Sequence, residues 1–128
     1  VLLAKFRRVE VYTFTDDDGT TAAWNATLGR DIAVREGVEK VRFNPEQNGV
    51  DLGHIQARYP EMDWERVRSM PFTDLAEPLL FVPWRGKSLL IDGWHRMAKC
   101  VLMGGFDLPA YLLSEDQADR CRVEEVPR

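Results

Sequence analysis

Cysteine is scarce, positive charge is in the minority and no apolar run is long, and each shortage closes off a class of protein. Cys100 and Cys121 are the two cysteines; they are too few for a disulfide framework and lack the spacing of a metal knuckle. Both are expected to be reduced, buried thiols. Lys and Arg number 17 against 21 Asp and Glu, a net charge of -4, so no global positive field recruits nucleic acid or an anionic membrane. A local basic patch would be needed, and Arg7, Arg8, Arg66, Arg68, Arg85 and Lys87 are its candidates. The longest apolar stretches, such as Leu79 to Val82 or Ser88 to Ile91, fall far short of the roughly 18–20 residues that span a bilayer. Val1 to Arg8 places basic residues after a brief apolar run, the wrong order for a secretory signal, and the expected location is the cytoplasm. Repeats, low-complexity tracts and linkers are also missing, so the 128 residues are expected to form one domain.

What is present is a succession of short elements. Val9 to Thr15 alternates and is rich in β-formers, then meets Asp16-Asp17-Asp18-Gly19, which predicts a hairpin returning through Thr20 to Trp24. Leu28, Ile32 and Ala33 lie at helical spacing, with Thr27 as cap and Gly37 as stop. Val38 to Phe43 reads as a strand ended by Asn44-Pro45, and Asp51 to Tyr59 fits no single element. Asp63 can cap a helix through Trp64, Val67 and Met70 that Pro71 ends. Leu79 to Val82 has the continuous apolar character of a strand buried on both faces. A three-residue loop, Arg85-Gly86-Lys87, leads into Ser88 to Ile91, after which Met97, Ala98, Val101 and Leu102 make a helical face closed by Gly104-Gly105. Leu108 to Leu113 reads as a strand, Ser114 with Gln117 as the capping box of a last helix, and Arg122 to Val126 as an edge strand. The fold class is therefore α/β: a mixed sheet flanked by short helices, residues 1–49 forming an unassigned β-rich extension and residues 50–128 a core.

Chemistry concentrates at Asp92-Gly93-Trp94-His95-Arg96, where a buried strand runs directly into a helix. Such a junction presents the helix's unpaired N–H groups and positive dipole end, a natural place for an anion. Gly93 permits close backbone approach, while His95 and Arg96 add an imidazole and a forked guanidinium suited to phosphate oxygens. Asp92 can hold a magnesium ion bridging the phosphates or accept a proton from an attacking hydroxyl. The bland alternative is that Asp92 only caps the helix, Arg96 pairs with a surface acid and His95 is an ordinary polar residue.

Ser88 to Lys99, then Gly104-Gly105, then Leu108 to Leu113, together resemble the core of the ParB/sulfiredoxin superfamily, in which a strand ends in a Gly-x-His-Arg or Asp-Gly-x-His-Arg type motif, a helix follows and a short strand near a Pro completes the unit. The resemblance covers roughly Pro78 to Leu113 and implies a small ParB/sulfiredoxin-like domain that binds ATP or another nucleoside triphosphate with Mg. His95 and Arg96 match the phosphate-contacting pair, Gly93 the motif glycine and Asp92 the acidic position of the serine-kinase-like members. Trp94 stands where sulfiredoxins carry the catalytic cysteine, which argues against thiol-based sulfinic reduction. Gly93 to Arg96 replaces the Gly-Glu-Arg-Arg box of chromosome-segregation members, and no helix-turn-helix follows.

The expected function is thus binding of a nucleoside triphosphate and transfer or hydrolysis of its terminal phosphate, with Asp92, His95 and Arg96 as catalytic candidates, Gly93 to Arg96 as the phosphate cradle and Asp92 as the metal ligand. A small hydroxyl-bearing acceptor is a possible second substrate. The alternative is a non-catalytic module that senses a nucleotide or holds nucleic acid; a nuclease is least favoured. Glu61, Asp63, Glu65 and Glu77 compete for the role of a second carboxylate, and His54 reads as a surface or capping residue. Asp16 to Asp18 read as a hairpin tip rather than a calcium loop. Trp24, Trp64 and Trp84 read as core or rim, whereas Trp94 is placed beside whatever the turn binds.

Overall fold

The structure, a computed structural model, describes residues 9–123. β1 (Val11–Thr15) and β2 (Thr21–Asn25) form the expected antiparallel hairpin, with Val11 opposite Asn25 and Thr15 opposite Thr21. The chain passes without a loop into α1 (Ala26–Arg35), so the cap is Asn25, whose side chain accepts from the Leu28 N–H at 2.9 Å. Thr27 lies inside the helix and its hydroxyl accepts from the Glu10 N–H instead. After β3 (Lys40–Phe43), the ambiguous stretch proves to be α2 (Leu52–Arg58), capped by Asp51. α3 (Trp64–Ser69) is capped by Asp63 as expected, and a 3-10 turn, Phe72–Ala76, follows Pro71.

β4 (Leu79–Trp84) and β5 (Lys87–Asp92) are antiparallel, with Trp84 opposite Lys87. Their connection is therefore a two-residue turn, not three. Arg85 and Gly86 carry φ of 50° and 73°, the positive values a type I′ turn demands because its twist matches that of the strands. Gly93 then leads into α4 (Trp94–Leu102), and β6 (Leu108–Leu112), α5 (Glu115–Arg120) with its Ser114/Gln117 capping box, and β7 (Arg122–Val123) complete the described chain. The remainder of the expected last strand, to Val126, lies outside the described residues.

The main sheet has the order β3-β6-β4-β5 and is mixed, since β6 runs parallel to β4 and the other pairs are antiparallel; a second sheet has the order β1-β2-β7. Both faces of the main sheet are covered. Leu80, Val82, Ile91 and Leu113 pack with Trp24, Ile32 and Ala33 from β2 and α1, while Leu79, Phe81, Leu90 and Ala110 pack with Ile55, Val67 and Met97 from α2, α3 and α4. That two-sided burial is why Leu79 to Val82 shows no alternation. The described parts of the two segments, residues 9–49 and 50–123, interlock: β3 pairs with β6, β2 with β7, and α1 contributes to the core beneath β4. Among the described residues no helix is long and apolar enough to cross a membrane.

Candidate functional site

Gly93 is the N-cap of α4 with φ 108°, a value that favours glycine strongly over any residue with a Cβ. A Cβ there would lie 2.5 Å from Leu79 Cδ2 and 3.1 Å from the Arg96 guanidinium. No side chain caps α4, so its first-turn N–H groups face a cleft of about 650 Å³ lined by the whole Asp92 to Arg96 motif. The opposite walls come from β1, Tyr59, Arg66 and the segment ahead of β4. All five motif residues line this cleft.

Asp92 does not cap the helix. Its Oδ2 accepts from Arg30 Nη2 at 2.6 Å and from Arg30 Nε at 3.0 Å, and lies 3.6 Å from Arg96 Nη2. Among the described residues its Oδ1 takes no hydrogen bond. Arg30 Nη2 also donates to the Pro78 carbonyl at 2.7 Å, and Arg96 Nη1 donates to the carbonyls of Glu77 at 2.8 Å and Pro78 at 3.2 Å. Two guanidiniums and one carboxylate therefore lock α1, the entry to β4 and the start of α4 around a single point. Burial lowers the Arg96 pKa and Asp92 opposes that shift; the guanidinium remains charged throughout the physiological range.

His95 is half-buried, its ring edge-on to Tyr59 at 5.7 Å. Burial pushes its pKa below the ordinary value, and the charges of Arg66 and Arg96 add to that against the opposing pull of Asp63. Both effects favour the neutral imidazole, the form that can accept a proton. Trp94 lines the cleft, but its ring is stacked on Tyr12 at 6.3 Å and Tyr59 at 6.0 Å, and its indole N–H donates to the Leu90 carbonyl at 3.0 Å. It is a fixed wall, not a free stacking surface.

Other candidates fall elsewhere. Of Glu61, Asp63, Glu65 and Glu77, only Glu77 lines the cleft, joined there by Glu10 and Asp74. His54 lies exposed in the first turn of α2. Trp24 and Trp84 meet edge to face in the core, and Trp64 donates to Gln56. Asp16 and Asp18 form the hairpin tip and bind Arg85 at 3.4 and 2.8 Å, with Lys87 3.2 Å from Asp16. The Asp18 carboxyl is held down to about 2 by the Thr20 N–H and Arg85. Two of the six basic-patch candidates are therefore neutralised at the far end of β5, Arg66 belongs to the cleft, Arg68 stands exposed in the last turn of α3, and Arg7 and Arg8 lie outside the described residues. Among the described residues no three His, Cys, Asp or Glu side chains cluster to hold a metal ion.

Sequence reasoning missed Arg30, Tyr12 and Tyr59. Nothing local marks Arg30, which lies 62 positions from Asp92; Tyr12 was accessible through the alternation that puts it on the same face of β1 as buried Phe14. Comparison with family models, curated proteins and solved structures finds no match.

Proposed function

We propose that the cleft at the N-terminus of α4 binds a nucleoside triphosphate with magnesium and that the protein transfers or hydrolyses its terminal phosphate. The observation that carries this reading is the convergence of Arg30, Arg66 and Arg96, from three different helices, on an uncapped helix start behind a glycine. Such an arrangement supplies fixed N–H dipoles and positive charge to the same oxyanions. The resemblance to the ParB/sulfiredoxin superfamily, carried by Asp92 to Arg96 and the elements around them, also supports it.

Magnesium suits the donor set only as a partner of the nucleotide, because Asp92 supplies one carboxylate where the ion ordinarily takes one or two along with substrate phosphates. When bound it would screen the phosphate charge and polarise the phosphoryl group. Arg30 turns from Asp92 to the phosphates in this reading, which opens Asp92 Oδ2. His95, within the cleft, takes the proton of the attacking hydroxyl or water as that oxygen bonds to phosphorus and the nucleoside diphosphate leaves. Two unpaired, buried cysteines accord with a reducing compartment such as the cytoplasm.

One observation favours a second reading, a non-catalytic nucleotide sensor: Asp92 Oδ2 is already satisfied by Arg30. Calorimetric titration with ATP, CTP, GTP and ADP plus magnesium tests both. Arg66 is exposed, so Arg66→Ala should weaken triphosphate binding while circular dichroism shows the fold unchanged. Phosphate release or transfer separates enzyme from sensor, and no binding of any nucleotide overturns both.

A further inference from the structure

A second cavity, of about 480 Å³, shares Tyr12 and Trp94 with the phosphate cleft. It exists because the helical layer covers its sheet face incompletely. Leu108 and Ala110 are buried beneath the helices, yet Leu112, next along the same face of β6, is 50% exposed at the cavity. The floor is apolar and packed: the Phe43 and Phe81 rings lie 4.9 Å apart, with Leu90 and Met97 beside them.

The charged groups around this floor are of one sign. Arg58 and Lys87 line the cavity together with His54, and among the described residues no Asp or Glu does, although the chain carries net charge -4. Lys87 is shared with Asp16, whereas the Arg58 guanidinium rests 5.1 Å from the centre of the Phe14 ring and pairs with no described acid. His54 and Arg58 stand one turn apart on α2. We propose that this cavity binds a small amphipathic carboxylate, its apolar body against Phe43, Phe81 and Leu90 and its carboxylate at Arg58. The volume is within the usual range for small-molecule sites, about 300–1,000 Å³, and an apolar floor with a few convergent polar groups is their usual lining. This site does not depend on the phosphate cleft, since Arg58, His54, Phe43 and Phe81 line this cavity and not that one.

The test uses three probes of one chain length, octanoate, octanol and octylamine, titrated by calorimetry into the full chain, with amide shifts recorded by NMR. Saturable octanoate binding is expected, with perturbations at His54, Phe81 and Leu112. Octanol should bind about tenfold more weakly and octylamine weaker still, the loss of one charge-assisted hydrogen bond. Arg58→Gln, which removes the guanidinium over the Phe14 ring at an exposed position, should bring octanoate down to the level of octanol while circular dichroism shows the fold unchanged. Leu112→Glu should abolish octanoate binding by placing a like charge at the mouth. Equal binding of octylamine and octanoate, perturbations confined to Gly93 to Arg96, or binding of none of the three overturns the proposal.

Discussion

Replacing Arg30 by Met tests whether the triad around Asp92 joins the two halves of the chain. Methionine keeps much of the aliphatic stem and removes three hydrogen bonds, two to Asp92 Oδ2 and one to the Pro78 carbonyl. The carbonyl retains Arg96 at 3.2 Å, so the main loss is at Asp92, left with Arg96 at 3.6 Å. Hydrogen bonds to charged groups contribute about 1.5–3 kcal/mol, and with the two side chains 20% and 22% exposed solvent screening favours the lower half of that range. A loss of about 2 kcal/mol is expected. At about 2.1 cal/mol/K of unfolding entropy per residue, the 128-residue chain has a transition entropy near 0.27 kcal/mol/K, so Tm should fall by about 7 °C. Asp92→Asn takes the counter-charge from Arg96 and leaves Arg30 only Glu77 at 3.9 Å, and should cost a similar amount. Urea denaturation of wild type, both single variants and the double variant closes the cycle, with an expected coupling of about 1.5 kcal/mol. Single-variant losses that simply add, with coupling below about 0.5 kcal/mol, would refute the reasoning and reduce the pair to a surface contact.

Gly93→Ala forces a side chain into a positive-φ position and against Leu79; a loss of about 2–4 kcal/mol is expected by chemical denaturation, and a variant as stable as wild type would contradict the close approach. NMR titration of the His95 ring should give a midpoint below the ordinary histidine value, and Arg66→Ala should raise it, because a neighbouring positive charge that disfavours the imidazolium has gone. Bound triphosphate should raise it further. Glu36 is held down to about 2 by Arg120 and Gln117, so it binds its proton less readily folded than unfolded. Its contribution to stability is present above the ordinary glutamate pKa of about 4.3 and is lost as pH falls toward 2. Acid unfolding of Glu36→Gln should therefore show a shallower slope across that window than wild type.

The parts of the fold that were readable are those whose determinants are local. The Asp-rich tip of the first hairpin, the Asp63 cap, the Ser114/Gln117 box and the change of period at Gly93 each act over a few residues, and each appears where expected. Where expectation and structure part, a neighbour in sequence competed with a better geometric solution. Thr27 and Asn25 are both capping residues, and Asn25 prevails because β2 runs directly into α1. The β4–β5 turn tightens from three residues to two because Arg85 accepts a positive φ, held by Asp16 and Asp18 across from it. Those acids lie 69 and 67 positions away, and no local pattern announces them.

The same distinction governs the site. Asp92 to Arg96 could be found because the glycine, the helix start and the charged residues follow one another, and backbone geometry alone brings them to one rim. What those residues do is decided by partners that sequence spacing does not reveal. Arg96 is partly occupied by the carbonyls of Glu77 and Pro78, and Asp92 by an arginine from α1. A lone Asp-Gly-x-His-Arg run read in isolation offers a carboxylate free to meet a cation; in the folded chain that carboxylate already has one, supplied by the half whose purpose was unassigned. Arg30 must then be counted with the motif. If the phosphate reading holds, Arg30→Met should weaken triphosphate binding even though it frees Asp92, because the guanidinium that leaves Asp92 is the one that meets the phosphates. Tighter binding in Arg30→Met would mean the opposite, that Arg30 competes with the ligand and restrains the site instead of serving it.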